Sequence, residues 1–305
     1  MRRLLEKLII TLFDLLPKKL SVRSFFIYWG VLPFIIVKFT RRKLLKRNNN
    51  TSTVAVKQCS EKILQVTGYE DQEICIRYSG GTDSTLVAAI MAQRFRKVHL
   101  LTFASSYEAL TLYTIKSSPK NSVCNLEYLE KRYGRKKFTH TIMRMEKERD
   151  DIYFNYYQKH ITGKSFLRVS FCPACTMAMH KMTIGYCREN DIRFASDGSC
   201  IDSGAYLWQM QHKDNLEMIK QAYSWAGIEY LINPCYNVPD SAEALFEKGI
   251  LPQRINSNSF NYRRQTQQFC IPIQLQSLCR NLHGSAEQVD RGEFRRFVEE
   301  VCRSF

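Results

Sequence analysis

The chain has 305 residues, with 45 Lys and Arg against 29 Asp and Glu, 45% hydrophobic residues, 11 Cys, 13 Gly and 8 Pro. That much apolar surface excludes wholesale disorder, and the modest glycine and proline counts exclude collagen-like or low-complexity structure. The formal charge of +16 calls for an anionic partner, nucleic acid or lipid, but residues 1–50 hold twelve Lys and Arg against Glu6 and Asp14, so +10 of it lies in that segment.

Within residues 1–50, Leu4, Leu5, Leu8, Ile9, Leu12, Leu15 and Leu16 recur at helical spacing and predict an amphipathic helix ended by Pro17. The apolar run from Ser24 to Val37, broken by Gly30 and Pro33, is shorter than the roughly 20 residues a membrane span needs. A basic block, Lys38 to Arg47, and a polar linker, Asn48 to Thr53, close the segment. An apolar helix beside basic residues suits peripheral contact with anionic lipid through residues 1–47. The same pattern suits a helix docked on the main domain or an arm touching RNA. The stretches around Lys18, Lys19 and Arg23 do not read as a secretory signal, and a chain this long is not a small disulfide scaffold. The expected location is the cytoplasm, with peripheral attachment to the inner membrane face left open and the thiols reduced or holding metal.

Beyond residue 53, strand and helix patterns alternate. Strands are predicted at Ile74–Tyr78, Val98–Phe103, Phe138–Ile142, Ile192–Ser196 and Ile228–Ile232. Helices are predicted at Asp83–Arg94, Asn125–Tyr133, Ala174–Glu189 and Asn215–Trp225, with a short one at Ala242–Glu247 and an amphipathic one at Ala286–Cys302. The fold class implied is α/β, an open parallel five-stranded Rossmann-like sheet with an N-terminal helical extension and C-terminal helices. The corresponding domains are a basic extension over 1–50, a nucleotide-binding domain over 54–280 and a C-terminal helix over 281–305.

The most informative string is Ser79, Gly80, Gly81, Thr82, Asp83 and Ser84, which follows the first strand and opens a helix. Adjacent glycines let the backbone turn its N–H groups toward a phosphate, and the helix N-terminus adds a favourable dipole. Ser79 and Ser84 add hydroxyl donors, and Asp83 suits the Mg²⁺ that accompanies a pyrophosphate. A lone glycine pair would read as a turn with a helix cap. The complete string at the end of the first parallel strand, where ligands of open α/β sheets bind, favours a phosphate.

This SGGTDS string resembles the loop of the PP-loop ATP pyrophosphatases, the adenine nucleotide α-hydrolase-like superfamily, over about residues 54–275. The resemblance implies an enzyme that binds ATP and Mg²⁺, cleaves ATP between the α and β phosphates, adenylates a carbonyl or carboxyl oxygen and lets a sulfur or nitrogen nucleophile displace AMP. It also implies that the end of the second strand, with Leu101, Thr102 and Phe103, meets the adenine.

Cys172 and Cys175 form a CxxC pair before the fourth strand, and this arrangement resembles the tRNA 2-thiocytidine and 2-thiouridine synthetases of that superfamily. There a third cysteine completes an iron–sulfur site. Cys270, 95 residues beyond Cys175, is the best match here, and Cys235 fits less well. Three soft thiolates suit a [4Fe–4S] cluster, with Zn²⁺ or packed thiols as the alternatives. The fourth strand leads into Gly198, Ser199, Cys200, Ile201, Asp202 and Ser203, where the thiouridine-type enzymes carry Gly-His-x-x-Asp-Asp. Gly198 and Asp202 match; Ser199 stands for the His and Ser203 for the second acid. Asp202 is expected to be an acid near the reacting centre or a second Mg²⁺ ligand. Thr82 is a further departure, because thiolation enzymes usually carry Lys there. His180 and Lys181 either face the site or pack, and the polar stretch Ser257–Gln268 reads as an exposed connector or an RNA contact.

The reading is an ATP-dependent enzyme that adenylates a tRNA base or a small-molecule acceptor and introduces sulfur, with a homodimer left open. Its rivals are an amide- or nitrile-forming PP-loop ligase of the deazaguanine or surface-sugar type, and a membrane-tethered nucleotide-binding protein without catalysis.

Overall fold

A computed structural model of the chain describes residues 68–104, 118–161, 172–199, 213–234, 249 and 291–305. The expected N-terminal helix, the basic block, Cys200, Asp202, Ser203, Cys235, Cys270, the short helix at 242–247 and the stretch 257–268 lie outside these residues. Among the described residues, no helix is long and apolar enough to cross a membrane.

The described residues fall into two compact units, one of residues 68–104, 118–145, 179–199, 213–234 and 249 with Phe305, the other of residues 146–161, 172–178 and 291–304. The first carries the sheet. Strands β1 (Glu73–Arg77), β2 (Lys97–Ala104), β3 (Phe138–Arg144), β4 (Phe194–Asp197) and β5 (Glu229–Leu231) pair in the order β3-β2-β1-β4-β5, all parallel. This is the expected five-stranded Rossmann-like sheet. Helix α1 (Thr82–Met91) crosses from β1 to β2, and α2 (Ser118–Tyr133) precedes β3. Because the chain moves outward from β1 through β2 to β3 and then returns to place β4 on the other side of β1, the strand order reverses between β1 and β4. Open α/β sheets bind ligands beyond the carboxyl ends of strands at such a reversal.

Side chains alternate across each strand, and register partners in a parallel pair share a face. One face is apolar: Ile74 and Ile76 of β1, with Tyr78 just beyond its end, pack with Val98, Leu100 and Phe138 beneath Leu86, Val87, Ala89, Ile90 and Leu129 from the two helices. The opposite face carries Glu73, Cys75 and Arg77, with His99 beside Cys75 and Asp197 beside Arg77. It lies against α4 (Cys172–Glu189) and α5 (Lys213–Trp225): His99 meets Tyr186, and His180 sits edge-on to Tyr223 and Tyr230.

Two boundaries differ from the sequence pattern in instructive ways. Helix α2 begins at Ser118, seven residues before the predicted start, because Pro119 lies in the first turn, where a missing N–H breaks no helical hydrogen bond. Strand β3 continues to Arg144, with Met143 and Arg144 pairing with Phe103 and Ala104.

In the other unit, α3 (Glu146–Ile152) passes into a wide π-turn (Tyr153–Tyr157) and a last turn (Gln158–His160), and α6 (Arg291–Arg303) forms the C-terminal helix. Phe294, Phe297, Val298 and Val301 are the buried stripe of α6, and the Phe297 ring meets Tyr157 edge-on with centroids 5.0 Å apart. Glu300 of the same helix accepts from Lys159 at 2.8 Å and pairs with His160. The sequence EKERDDI of α3 has no apolar periodicity, so the pattern did not announce it.

Candidate functional site

The loop after β1 occupies the strand-order reversal. Gly80 has φ of 71°, a left-handed conformation that glycine adopts without strain. Gly81 is the N-cap of α1 and brings no side chain to cap the helix, whose N-terminus favours an anion. The two serines span the turn: Ser79 Oγ lies 3.1 Å from Ser84 Oγ and accepts the Gly81 N–H at 3.2 Å. Ser84 and Thr85 donate their hydroxyls to the Gly81 carbonyl, at 3.2 and 2.7 Å. Asp83 lies in the first turn of α1, where a carboxylate interacts favourably with the helix dipole.

Two neighbouring elements hold this loop. Asn125 Nδ2, in the middle of α2, donates to the Gly80 carbonyl at 2.6 Å. On the other side, the turn after β4 comes so close that a Cβ built on Gly198 would stand 2.6 Å from Ser84 N and 2.8 Å from its Cα. Only glycine fits there, since the obstacle is backbone rather than a side chain that could move aside.

Thr102 and Phe103, expected near the adenine, lie at the end of β2. Thr102 is fully buried, and its hydroxyl donates to the Tyr78 carbonyl at 2.7 Å. Its oxygen lies 2.8 Å from His140 Nε2, which must then be the protonated ring nitrogen. The Thr102 side chain therefore braces the strand that enters the loop. Phe103 is 6% exposed.

Beneath the loop, Arg77 and Asp197 form an ion pair between β1 and β4, with side-chain exposures of 11% and 2%. Asp197 Oδ1 also accepts the Ser199 N–H at 2.8 Å, and Asn233 donates to the Ser199 carbonyl at 2.8 Å. Deeper along the same face, burial holds the His99 imidazole below its usual range even though Glu73 pulls it up. Neutral His99 then donates from Nε2 to Glu73 at 2.7 Å and accepts from the Tyr186 hydroxyl at Nδ1, 3.0 Å away. His180 is fully buried, 3.1 Å from the Tyr223 hydroxyl, and burial with the nearby Arg77 charge keeps it far below the ordinary histidine range. His180 is thus a packed, neutral residue of the sheet's polar face, one of the two readings its sequence position allowed.

The sequence-predicted residues divide accordingly. Ser79, Gly80, Gly81, Thr82, Asp83 and Ser84 form one loop with Gly198 pressed against it. Cys172 is the first residue of α4, and Cys175 is half-buried three positions on, in the unit that does not carry the sheet. A spacing of three residues along a helix suits two ligands of a metal or cluster. Cys270 and Asp202 lie outside the described residues, and among the described residues no three His, Cys, Asp or Glu are grouped to hold a metal. Asn125, Arg77, Asp197 and Asn233 were not singled out from the sequence. Their partners lie 34 to 120 residues away, and no local pattern marks them.

No family model matches the chain. No curated protein matches it either. Among solved structures, it is similar to the U34-tRNA thiolase NcsA from Methanococcus maripaludis with its [4Fe–4S] cluster, at 15% identity and a TM-score of 0.43, over 82% of each chain. It is also similar to a predicted subunit of a tRNA methyltransferase from Methanocaldococcus jannaschii, at 17% identity and a TM-score of 0.29, over 65% of this chain and 96% of that one. At TM-scores below 0.5 these likenesses leave the site to be read from its own residues.

Proposed function

We propose that the chain is a PP-loop enzyme that binds MgATP at Ser79–Ser84, cleaves it between the α and β phosphates, and transfers AMP to a carbonyl oxygen of its acceptor. The observation that carries this reading is the loop itself. It opens α1 at the strand-order reversal, with a glycine rather than a capping side chain at the N-cap, and Gly198 closes on Ser84 with no room for a side chain. Amides there, with the Mg²⁺ that Asp83 would hold, would stabilise the charge that builds on pyrophosphate, which is the large term in such a transfer. In this reading Ser79, Gly80, Gly81, Thr82 and Ser84 bind phosphate, Asp83 holds Mg²⁺, and the end of β2 at Thr102 and Phe103 borders the adenine. Asp202 serves as an acid or a second Mg²⁺ ligand.

Adenylation turns a carbonyl oxygen into a leaving group. The CxxC pair of Cys172 and Cys175 favours sulfur as the entering atom, with a tRNA base or a small molecule as acceptor. Cys172, Cys175 and Cys270 would hold a [4Fe–4S] cluster, with Zn²⁺ as the alternative, and such a cluster would supply a place to carry sulfur. Thr82 in the place of a lysine and Ser199 in the place of a histidine favour a second reading, a nitrogen nucleophile giving an amide or nitrile.

The test is product analysis. Incubation with MgATP, bulk tRNA and sulfide yields AMP and pyrophosphate, and Asp83→Ala abolishes both. Formation of ADP, or full activity in the variant, contradicts the loop assignment. Anaerobic purification separates the nucleophiles: absorbance near 400 nm with stoichiometric iron and sulfide supports sulfur transfer, and a colourless protein with stoichiometric zinc supports the second reading.

A further inference from the structure

We propose that the buried Arg77–Asp197 pair is a positioning element of the phosphate site, one that fixes the turn after β4 against the first turn of α1 and so preforms the loop. The ligand named for the loop rests on the function proposed above; the positioning itself rests on geometry alone.

Arg77 and Asp197 are register partners on β1 and β4, the two strands between which the strand order reverses. From this point the chain runs in two directions toward one contact. Along β1, Tyr78 separates Arg77 from Ser79, the first residue of the loop. Along β4, Asp197 is followed by Gly198, whose missing side chain lets the turn touch Ser84 N. The Asp197 carboxylate performs two tasks at once, pairing with Arg77 through Oδ2 and accepting the Ser199 N–H through Oδ1 at 2.8 Å. Asn233 secures the far side of the turn through the Ser199 carbonyl. Gly198 is thereby held between an anchored aspartate and an anchored serine.

A buried ion pair is a poor source of stability, because apolar residues of similar volume often serve as well or better. Its distinguishing property is direction: charge-assisted hydrogen bonds set an angle and a distance that apolar packing does not. The groups around Arg77 sharpen this. His180, Tyr223 and Tyr230 all feel its charge, and burial keeps all three uncharged, so Asp197 is the anion that meets Arg77 within this cluster. Truncating one partner alone would leave the other charged and buried, so the informative variant removes both.

The experiment compares the full chain with the double variant Arg77→Met/Asp197→Leu by thermal melting, residue-resolved amide hydrogen exchange and MgATP titration. The double variant is expected to melt close to the wild type, while the amides of Ser84 and Ser199 exchange about tenfold faster and MgATP binds about tenfold more weakly. A folded double variant with wild-type exchange at both amides overturns the proposal. Where the double variant does not fold, Asp197→Asn decides, since it keeps the volume and the acceptor for Ser199 but drops the charge. Exchange that quickens at Ser84 beyond that of the core amides of Ile76 and Leu100, which report the overall cost of the unpaired Arg77, supports positioning, and exchange at Ser84 that only tracks them overturns it. A wild-type chain that takes up no MgATP removes the nucleotide reading, and the exchange rates still decide the positioning.

Discussion

On the side of the sheet that packs against α1 and α2, the strands present Ile74, Ile76, Val98, Leu100 and Phe138; on the other side the same strands present Glu73, Cys75, Arg77, His99 and Asp197. Both faces are buried, yet they are stabilised differently. The apolar face gains from removing hydrocarbon from water, is tolerant of direction, and loses stability in proportion to the volume deleted. The polar face gains little net energy, because each hydrogen bond and ion pair replaces one made with water. What it supplies is orientation, and its ionic end lies directly under the loop. One sheet thus separates the work of holding the fold from the work of aiming a site, by the two-residue period of a strand.

The sharpest way to break this contrast is to remove one charge. Arg77→Met leaves Asp197 ionised and buried, and the expected loss is about 3–5 kcal/mol, read from the urea unfolding midpoint. A loss below about 1 kcal/mol would mean that the polar face is wetter than its burial implies. On the apolar face, Leu100→Ala is expected to cost about 2–5 kcal/mol through the lost transfer energy and the cavity left behind, while MgATP affinity measured on the folded fraction stays unchanged.

A smaller effect comes from pH. Burial lowers the folded-state values of His99, His140 and His180, so the unfolded chain takes up protons first as the pH falls below about 6.5. Stability is therefore full above that value and declines below it, by up to about 1.4 kcal/mol per pH unit for each such histidine. His180→Phe should flatten the profile between about pH 6.5 and 5, ahead of the carboxylate range. An unchanged slope would show that His180 is protonated in the fold. The smallest expected effect is that of Asn125→Ala, which removes the hydrogen bond to Gly80 and should cost about 1 kcal/mol in MgATP affinity by titration.

The same contrast explains what the sequence disclosed. The βα order and the five strands were legible because apolar runs such as Val98–Phe103 and a glycine-rich string with fixed spacing are local signals. The loop was legible for the same reason, since each of its parts lies within six consecutive residues. The polar face was not, because a strand residue such as Arg77 reads as an isolated charge until β4 places Asp197 beside it, 120 positions later. Asn125 was assigned to the first turn of a helix that in fact starts at Ser118, and only the tertiary fold puts its side chain on Gly80. Gly198 was recognised by resemblance, and the structure adds the physical reason, a backbone amide where a Cβ would stand.

The central claim is that the loop and the turn after β4 form one phosphate site, and a calorimetric titration of MgATP into the wild-type chain and Gly198→Val tests it most directly. The account predicts saturable binding at one site in the wild type and at least about hundredfold weaker binding in a folded variant, because the new side chain displaces Ser84. Undiminished binding in the folded variant, or no saturable binding in the wild type, would contradict it.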